Sequence, residues 1–326
     1  MRLTAEEKVE IIHLVDRADR PVREVLRELG IPPSSFYDWY RSFLTDGPDG
    51  LKPTRAGRRQ RWNQIPEPQR KMVVDLALEF TDHSCRELAC KITDETGLSI
   101  SESSVYRILK AEGLITTPNH VLMEAGDKFT NQTTRVHEMW QTDFTYFRVI
   151  GWGWYYLQTI LDDHSRYIVH WELCKGMEHQ EVQKLVDEAI TIAGLEDAGE
   201  KPRMLSDNGP CYIAQELRQF LKKRSIRHVR GRPMHPQTQG KIERYHRSIK
   251  NVVKLDNYYC PEELREAIAS YVNFYNHFRY HESLDNVTPA DVYYGRKESV
   301  LQRRREAKDK TLRERRLMYQ KARLTG

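Results

Sequence analysis

The chain has 326 residues, 39% of them apolar, and carries a net charge of +5 from 52 Lys and Arg against 47 Asp and Glu. That length suggests two or three domains, and a mean hydropathy of −0.72 goes with the lack of any apolar run near the roughly 20 residues that span a bilayer. The first residues, Met1-Arg2-Leu3-Thr4-Ala5-Glu6-Glu7-Lys8, lack the apolar stretch of a signal peptide. Membrane insertion and secretion are therefore not expected, and a cytoplasmic protein is. The five cysteines, Cys85, Cys90, Cys174, Cys211 and Cys260, are odd in number and form no C-x-x-C. A disulfide framework or thiolate zinc site is not expected, and buried reduced thiols are.

The positive charge is concentrated in three blocks. Residues 296–326 hold 12 Lys and Arg against 4 acids, and residues 222–250 hold ten against Glu243 alone. Residues 52–61 hold Lys52, Arg55, Arg58, Arg59 and Arg61 with no acid. Such blocks on an otherwise near-neutral chain imply a polyanion, and nucleic acid is the expected partner.

In chain order, residues 5–18 read as a helix with Thr4 as N-cap, and Val22–Leu29 as a second ended by Gly30. Ser35–Phe43 reads as a third. Three short helices with Gly at the second turn make a helix-turn-helix pattern. Its recognition segment, Ser34-Ser35-Phe36-Tyr37-Asp38-Trp39-Tyr40, would enter a major groove. The Gly- and Arg-rich stretch that follows suits a minor groove through Arg55, Arg58 and Arg59. A second helical unit reads Pro68–Phe80, Cys85–Thr96 and Ser101–Glu112, with Ser103, Ser104 and Arg107 at the start of its last helix.

From residue 135 the texture changes to strands. Val136–Val149, Trp154–Leu161 and Arg166–Leu173 are expected strands around Gly151-Trp152-Gly153. A helix (Gln180–Ala193), a strand (Arg203–Ser206), a helix (Ile213–Lys223), a strand (Arg227–Val229) and a helix (Lys241–Leu255) follow, then another helix over 262–278. This order predicts an α/β core, a mixed sheet with helices packed on it. The aromatic run Tyr271-Val272-Asn273-Phe274-Tyr275 reads as core. Residues 296–326 fit a helical DNA contact, an arm between protomers or a solvated tail.

Three carboxylates stand out. Asp143 lies inside a strand, where a charge is costly unless paired or bound to metal. Asp207 ends another strand, and ligands of open α/β sheets gather at the carboxyl ends of strands. Glu243 begins a helix, alone among ten cations. Three carboxylates from separate elements suit two Mg²⁺ ions, which favour carboxylates, water and phosphate oxygens and can activate a water or a 3′-hydroxyl. Asp162 and Asp163 read as a turn rather than a metal site. His83, Cys85 and Cys90 lack a fourth zinc ligand.

The contexts Trp140-Gln141-Thr142-Asp143, Ser206-Asp207-Asn208-Gly209 and His235-Pro236-Gln237-Thr238-Gln239-Gly240-Lys241-Ile242-Glu243-Arg244, with 35 residues between Asp207 and Glu243, resemble the D,D(35)E motifs of the retroviral-integrase superfamily. The likeness is to bacterial insertion-sequence transposases of the IS3 and IS481 type. Leu161-Asp162-Asp163-His164-Ser165-Arg166 resembles a strand-turn element of that core, and Tyr275-Asn276, Arg279, His281, Leu284 and Thr288-Pro289 its C-terminal signature. The chain differs from retroviral integrases in lacking an N-terminal His/Cys zinc pattern.

The resemblance implies an RNase H-like catalytic core preceded by all-α helix-turn-helix domains. The expected domains are 1–50 and 67–118 (helix-turn-helix), 51–66 and 119–134 (linkers), 135–258 (catalytic core), 259–295 (helical extension) and 296–326 (basic tail). It implies a DNA transposase that binds terminal inverted repeats and cuts and joins DNA, with Asp143, Asp207 and Glu243 as catalytic metal ligands. Two Mg²⁺ are implied, with Mn²⁺ able to substitute. Lys250 is implied as a further catalytic residue: seven residues after Glu243, or about two turns, it shares that face and would meet a DNA phosphate. His246 and Arg247 compete for that contact. Arg232, Lys241, Arg244 and Arg247 would hold DNA. A homo-oligomer, at least a dimer on paired ends, in a bacterial cytoplasm at the nucleoid is implied. The alternatives are a DNA-binding regulator without catalysis and an RNase H-type nuclease that only hydrolyses.

Overall fold

The computed structural model describes residues 4–51, 62–81, 83–115, 133–230 and 239–325. Arg55, Arg58, Arg59 and Arg232 lie outside the described residues. The chain forms two compact units, Met1–Gln64 with Met318–Gly326, and Ile65–Leu317.

In the first unit, α1 (Ala5–Arg17) begins at a capping box: Thr4 Oγ1 accepts from Glu7 N at 3.2 Å, and Glu7 Oε2 accepts from Thr4 N at 2.6 Å. Gly30, at φ +65°, turns the chain from α2 (Val22–Glu28) towards α3 (Pro33–Asp46). Ile12, Val15, Val25, Leu26, Ile31, Phe36 and Leu51 form its core. Ser34 and Tyr37 lie on the exposed side of α3 and Ser35 is half-buried.

In the second unit, α4 (Glu67–Glu79), α5 (Cys85–Thr96) and α6 (Glu102–Ala111) close on Val73, Leu88, Ile92, Ile100, Val105, Ile108 and Leu109. Ser84 and Glu87 cap α5 in the same reciprocal way. On α6, Ser103 and Arg107 are exposed and Ser104 half-buried. Arg107 donates to Ser103 O at 3.0 Å and to Ser104 Oγ at 3.1 Å.

The sheet is mixed and five-stranded, in the order β3-β2-β1-β4-β5. Strands β1 (Met139–Val149), β2 (Gly153–Asp162) and β3 (Ile168–Cys174) are antiparallel neighbours. Strands β4 (Arg203–Ser206) and β5 (His228–Arg230) continue the sheet from β1 in parallel. This is the expected RNase H-like arrangement. Side chains alternate between its faces. One face, with Trp140, Ile160 and Val169, packs on α7 (His179–Ile192), α8 (Pro210–Ile213) and α9 (Gln215–Lys223). The single helix expected over Ile213–Lys223 is divided, because Ala214 is extended at φ −55°, ψ 138°. The other face, with Phe147, Val149, Leu157 and Leu161, packs on α10 (Gly240–Val253) and α11 (Pro261–His277). Each such aliphatic side chain contributes roughly 1.5–3 kcal/mol by burial. Tyr271 and Tyr275 belong to this core, as expected. The Asn276 amide grips the edge strand, accepting from Ile168 N at 2.9 Å and donating to Ile168 O at 3.0 Å.

After α12 (Pro289–Tyr293), the basic tail is one helix, α13 (Lys297–Thr325). Its strongly polar sequence hides a packed stripe: Val300, Thr311 and Arg315 are buried and Arg304 and Ala307 half-buried. That stripe meets the α4–α6 bundle. Arg304 makes a bidentate pair with Asp94, at 2.7 and 2.6 Å, and Tyr280 donates to the same carboxylate at 3.0 Å. Thr311 Oγ1 accepts from Ser99 N at 2.9 Å, and Arg315 donates to Gln69 Oε1 at 3.0 Å. The bundle expected as a separate domain at 67–118 therefore shares one compact unit with the sheet. All five cysteines are free thiols, with Cys174 and Cys211 buried and Cys85, Cys90 and Cys260 only partly so.

The Asp94–Arg304 pair is expected to hold the bundle in place. With side chains 26% and 14% exposed, it lies between a surface pair and a buried one. Asp94→Ala is expected to cost about 2 kcal/mol in denaturant unfolding, and a loss within error would show that α13 does not clamp the bundle.

Candidate active site

The pairing of β1 with β4 carries the site. Gln141 stands opposite Leu205 in parallel register, so two residues on, past the end of β4, Asp143 and Asp207 come alongside each other. Asp207 is shaped by its turn: Gly209 N donates to Asp207 Oδ1 at 2.9 Å. A Cβ at position 209 would sit 3.0 Å from that oxygen, so glycine leaves the carboxylate its room. Partial burial pushes the Asp207 carboxyl above its ordinary value; the Gly209 N–H opposes this, and the charge of Asp143 adds to it.

The third carboxylate is positioned by a helix, and the helix by a buried cluster. Asp163, 5% exposed at its side chain, accepts from Lys241 Nζ at 2.7 Å. It also accepts from Thr133 Oγ1 and Gln141 Nε2, both at 2.6 Å. Gln141 Oε1 in turn accepts from Ile242 N at 3.1 Å. Lys241 and Ile242 open α10, so the cluster pins the helix start against β1, and Glu243 follows immediately. Glu243 is exposed and has no hydrogen-bond or ion-pair partner among the described residues.

His246, one turn further, is 6% exposed, with Nδ1 3.3 Å from Asp143 Oδ2. It therefore braces a carboxylate rather than facing solvent. Lys250 lies on the same helix within the field of Asp143. Burial and then Lys254 push its ammonium down, and Asp143 pulls it back up. Arg244 and Arg247 are exposed on α10, whereas the Lys241 ammonium is engaged by Asp163. Asp162 is a turn residue, as expected: it accepts from Ser165 N and Oγ at 2.8 and 2.6 Å and from His137 N at 2.8 Å.

Asp143 and Asp207 are thus neighbours, and α10 brings Glu243 to the same end of the sheet. The three carboxylates do not close into a common ligand set. Among the described residues, the group of metal-ligating type whose atoms all lie within 4.8 Å is His170, Glu172 and Glu188, and its carboxylates already face Arg265 and Lys184. Like charges repel, and Glu243 sits on an exposed first turn. The donor set fits a hard divalent cation: carboxylate oxygens without thiolate, two of them adjacent. Sequence reasoning did not find the brace by His246 or the roles of Gln141 and Asp163, since a buried contact between elements leaves no periodic signal.

Integrase core domain families match residues 133–236 and 224–289, a homeodomain-like domain family matches 35–109, and a helix-turn-helix domain family matches 7–60. The putative transposase InsK of insertion sequence element IS150 from Escherichia coli (strain K12) is 24% identical over 78% of this chain and 87% of its own. The IgE-binding protein of Mus musculus is 47% identical over 58 residues, 18% of this chain, and the chain spans only 10% of its length. Among solved structures, the simian T-cell lymphotropic virus intasome in complex with PP2A regulatory subunit B56 gamma matches 68% of this chain and 74% of its own at 20% identity. The TM-score of that match is 0.44. The chain carries an integrase core behind helix-turn-helix domains and is homologous to an IS3-family transposase over 78% of its length.

A raised carboxyl pKa means that the folded chain binds the Asp207 proton more tightly than the unfolded chain does. The stability this supplies is complete below the unfolded value and is lost as pH rises through the folded one. Asp207→Asn is therefore expected to raise the melting temperature at neutral pH without divalent cation, and to bring little near pH ~3, where the carboxyl is largely protonated already. Equal melting curves at neutral pH would show that the neighbouring charges do not strain the site.

Proposed function

We propose that this integrase-core chain is the DNA transposase of an insertion sequence, which binds terminal inverted repeats and catalyses strand cleavage and strand transfer. The observation that carries the reading is the adjacency of Asp143, inside β1, and Asp207, just past the end of β4, with Glu243 delivered by a helix clamped to β1. Water attacks a phosphodiester to free a 3′-hydroxyl, whose oxygen then attacks a second phosphodiester in line and displaces another 3′-oxygen. Asp143, Asp207 and Glu243 would hold two Mg²⁺, or Mn²⁺ in their place, which when bound neutralise charge on the attacking and leaving oxygens.

The chain's own groups prepare that chemistry. His246 holds one oxygen of Asp143 in place, and the Gly209 N–H orients Asp207. Lys250 contacts a DNA phosphate beside the carboxylates. Ser34, Ser35 and Tyr37 on α3, and Ser103, Ser104 and Arg107 on α6, read the ends, with Arg244 and Arg247 on the backbone. Arg55, Arg58, Arg59 and Arg232 add contacts outside the described residues. Pairing two ends requires at least a dimer, working at the nucleoid of a bacterial cytoplasm. No helix among the described residues is long and apolar enough to cross a membrane.

End joining tests this. Labelled DNA from the ends of the element is incubated with protein, a plasmid and Mg²⁺. Glu243→Gln is expected to keep end binding and lose joining by on the order of a thousandfold, the scale of losing a preorganised transition-state contact; undiminished joining would refute the assignment. Removing residues 1–115, which carry both α3 and α6, is expected to abolish sequence-specific end binding and leave weak, non-specific Mn²⁺-dependent cleavage. Specific binding by the truncated chain would overturn that division of labour.

A further inference from the structure

The hairpin of β1 and β2 carries large rings into solvent. Tyr146, Trp152 and Trp154 are 49%, 57% and 53% exposed, while Phe147, Val149 and Leu157 beside them are buried. Alternation accounts for which side they face but not for their being aromatic, and clustered exposed rings on a soluble chain mark a contact surface. Tyr146 and Trp154 touch edge to face, their ring centroids 5.4 Å apart. Lys250 and Lys254 of α10 lie over the Tyr146 ring at 4.5 and 5.5 Å. Lys175 extends the pattern, 6.0 Å from the Trp152 ring.

Within the hairpin itself the charge has one sign. Residues 144–157 contain no Asp or Glu, and Arg148 is their one charged side chain. A second copy of the chain is a poor occupant, because a two-fold contact would set lysine against lysine. Rings beside ammonium groups, on a hairpin without acids, suit a strand whose bases stack and whose phosphates are anionic. The place suits it too. Tyr146 follows Asp143 by three residues on one strand, about 10 Å and on the opposite face, about three nucleotide steps of a DNA strand, and Lys250 of α10 links the two, over the Tyr146 ring and within the field of Asp143.

We propose that Tyr146 and Trp154, with Lys250 and Lys254, form a platform on which unpaired bases of a DNA strand stack, a few nucleotides from the phosphodiester that is cut. The proposal rests on the DNA-cutting reading for its location. The platform separates the strand entering the carboxylate site from its complement by giving the freed bases an apolar surface.

The test is fluorescence anisotropy with the full-length protein and a chelator, comparing labelled oligodeoxythymidine with an abasic strand of equal length. The phosphates match, so the difference isolates base stacking. Wild-type protein is expected to favour the thymidine strand by about tenfold. Y146A/W154A is expected to lose that preference and keep its affinity for the abasic strand, while Trp154→Phe retains most of it. Lys254→Ala is expected to weaken both strands and reduce the salt slope by about one. No preference in the wild type, or a preference that survives in Y146A/W154A, would overturn the platform. So would a change of oligomeric state by sedimentation in Y146A/W154A, which would show that a second copy covers the rings. Binding needs no cut, so a chain that prefers bases but never joins ends would refute the transposase reading and leave the platform standing.

Discussion

A single buried carboxylate organises the site. Asp163 accepts from Thr133, Gln141 and Lys241, which come from the segment before β1, from β1 itself and from the start of α10. A charge buried to this degree is tolerable only when paired and hydrogen-bonded. Each of its partners therefore becomes a fixed point of the fold. Because Lys241 and Gln141 are among them, the first turn of α10 cannot slide along the sheet. Glu243 inherits its place from that constraint, and His246, one turn on, reaches Asp143 for the same reason. Glu243, a carboxylate expected to do chemistry, is positioned by one expected to do none.

The same division runs through the rest of the second unit. The sheet is covered on both faces, which lets β1 be apolar on either side and still carry Asp143 towards its open end. The parallel pairing of β1 with β4 brings Asp207 beside it, where partial burial first and the charge of Asp143 in addition raise its carboxyl. Strain of this kind is expected where charge is to be neutralised by a bound partner. Away from the site, α13 joins the α4–α6 bundle to the sheet domain through Arg304, Thr311 and Arg315. A helix that reads DNA on that bundle would be held rigidly with respect to the carboxylates.

Much of this was legible in the chain. The periodicity of residues 5–46 and 67–111 marks the short helices, and Thr4, Gly30 and Gly113 mark their ends. The alternating aromatic and β-branched residues from 139 to 174 mark three strands. The contexts of Asp143 and Asp207 single out two carboxylates that the fold places side by side, and the turn role of Asp162 followed from its neighbours. Less was legible where the signal is not local. The split at Ala214 depends on how Cys211 and Tyr212 pack under the sheet. Lys241 reads as a surface cation in a basic run, and only its contact with Asp163 shows otherwise. Residues 296–326 read as a charged tail because the stripe that packs includes Thr311, Arg304 and Arg315, polar residues that no hydrophobic pattern singles out.

By itself, then, the sequence determined the elements, their order and the residue types able to do chemistry, because periodicity, capping and turn residues act over a few neighbours. Tertiary structure decided which carboxylates stand together, which brace and which cations are left exposed. Those outcomes rest on strand register and on buried polar contacts between residues tens to hundreds of positions apart. Such contacts are energetic only once the sheet has excluded water from around them, so they exist in the fold and not in any stretch of the chain.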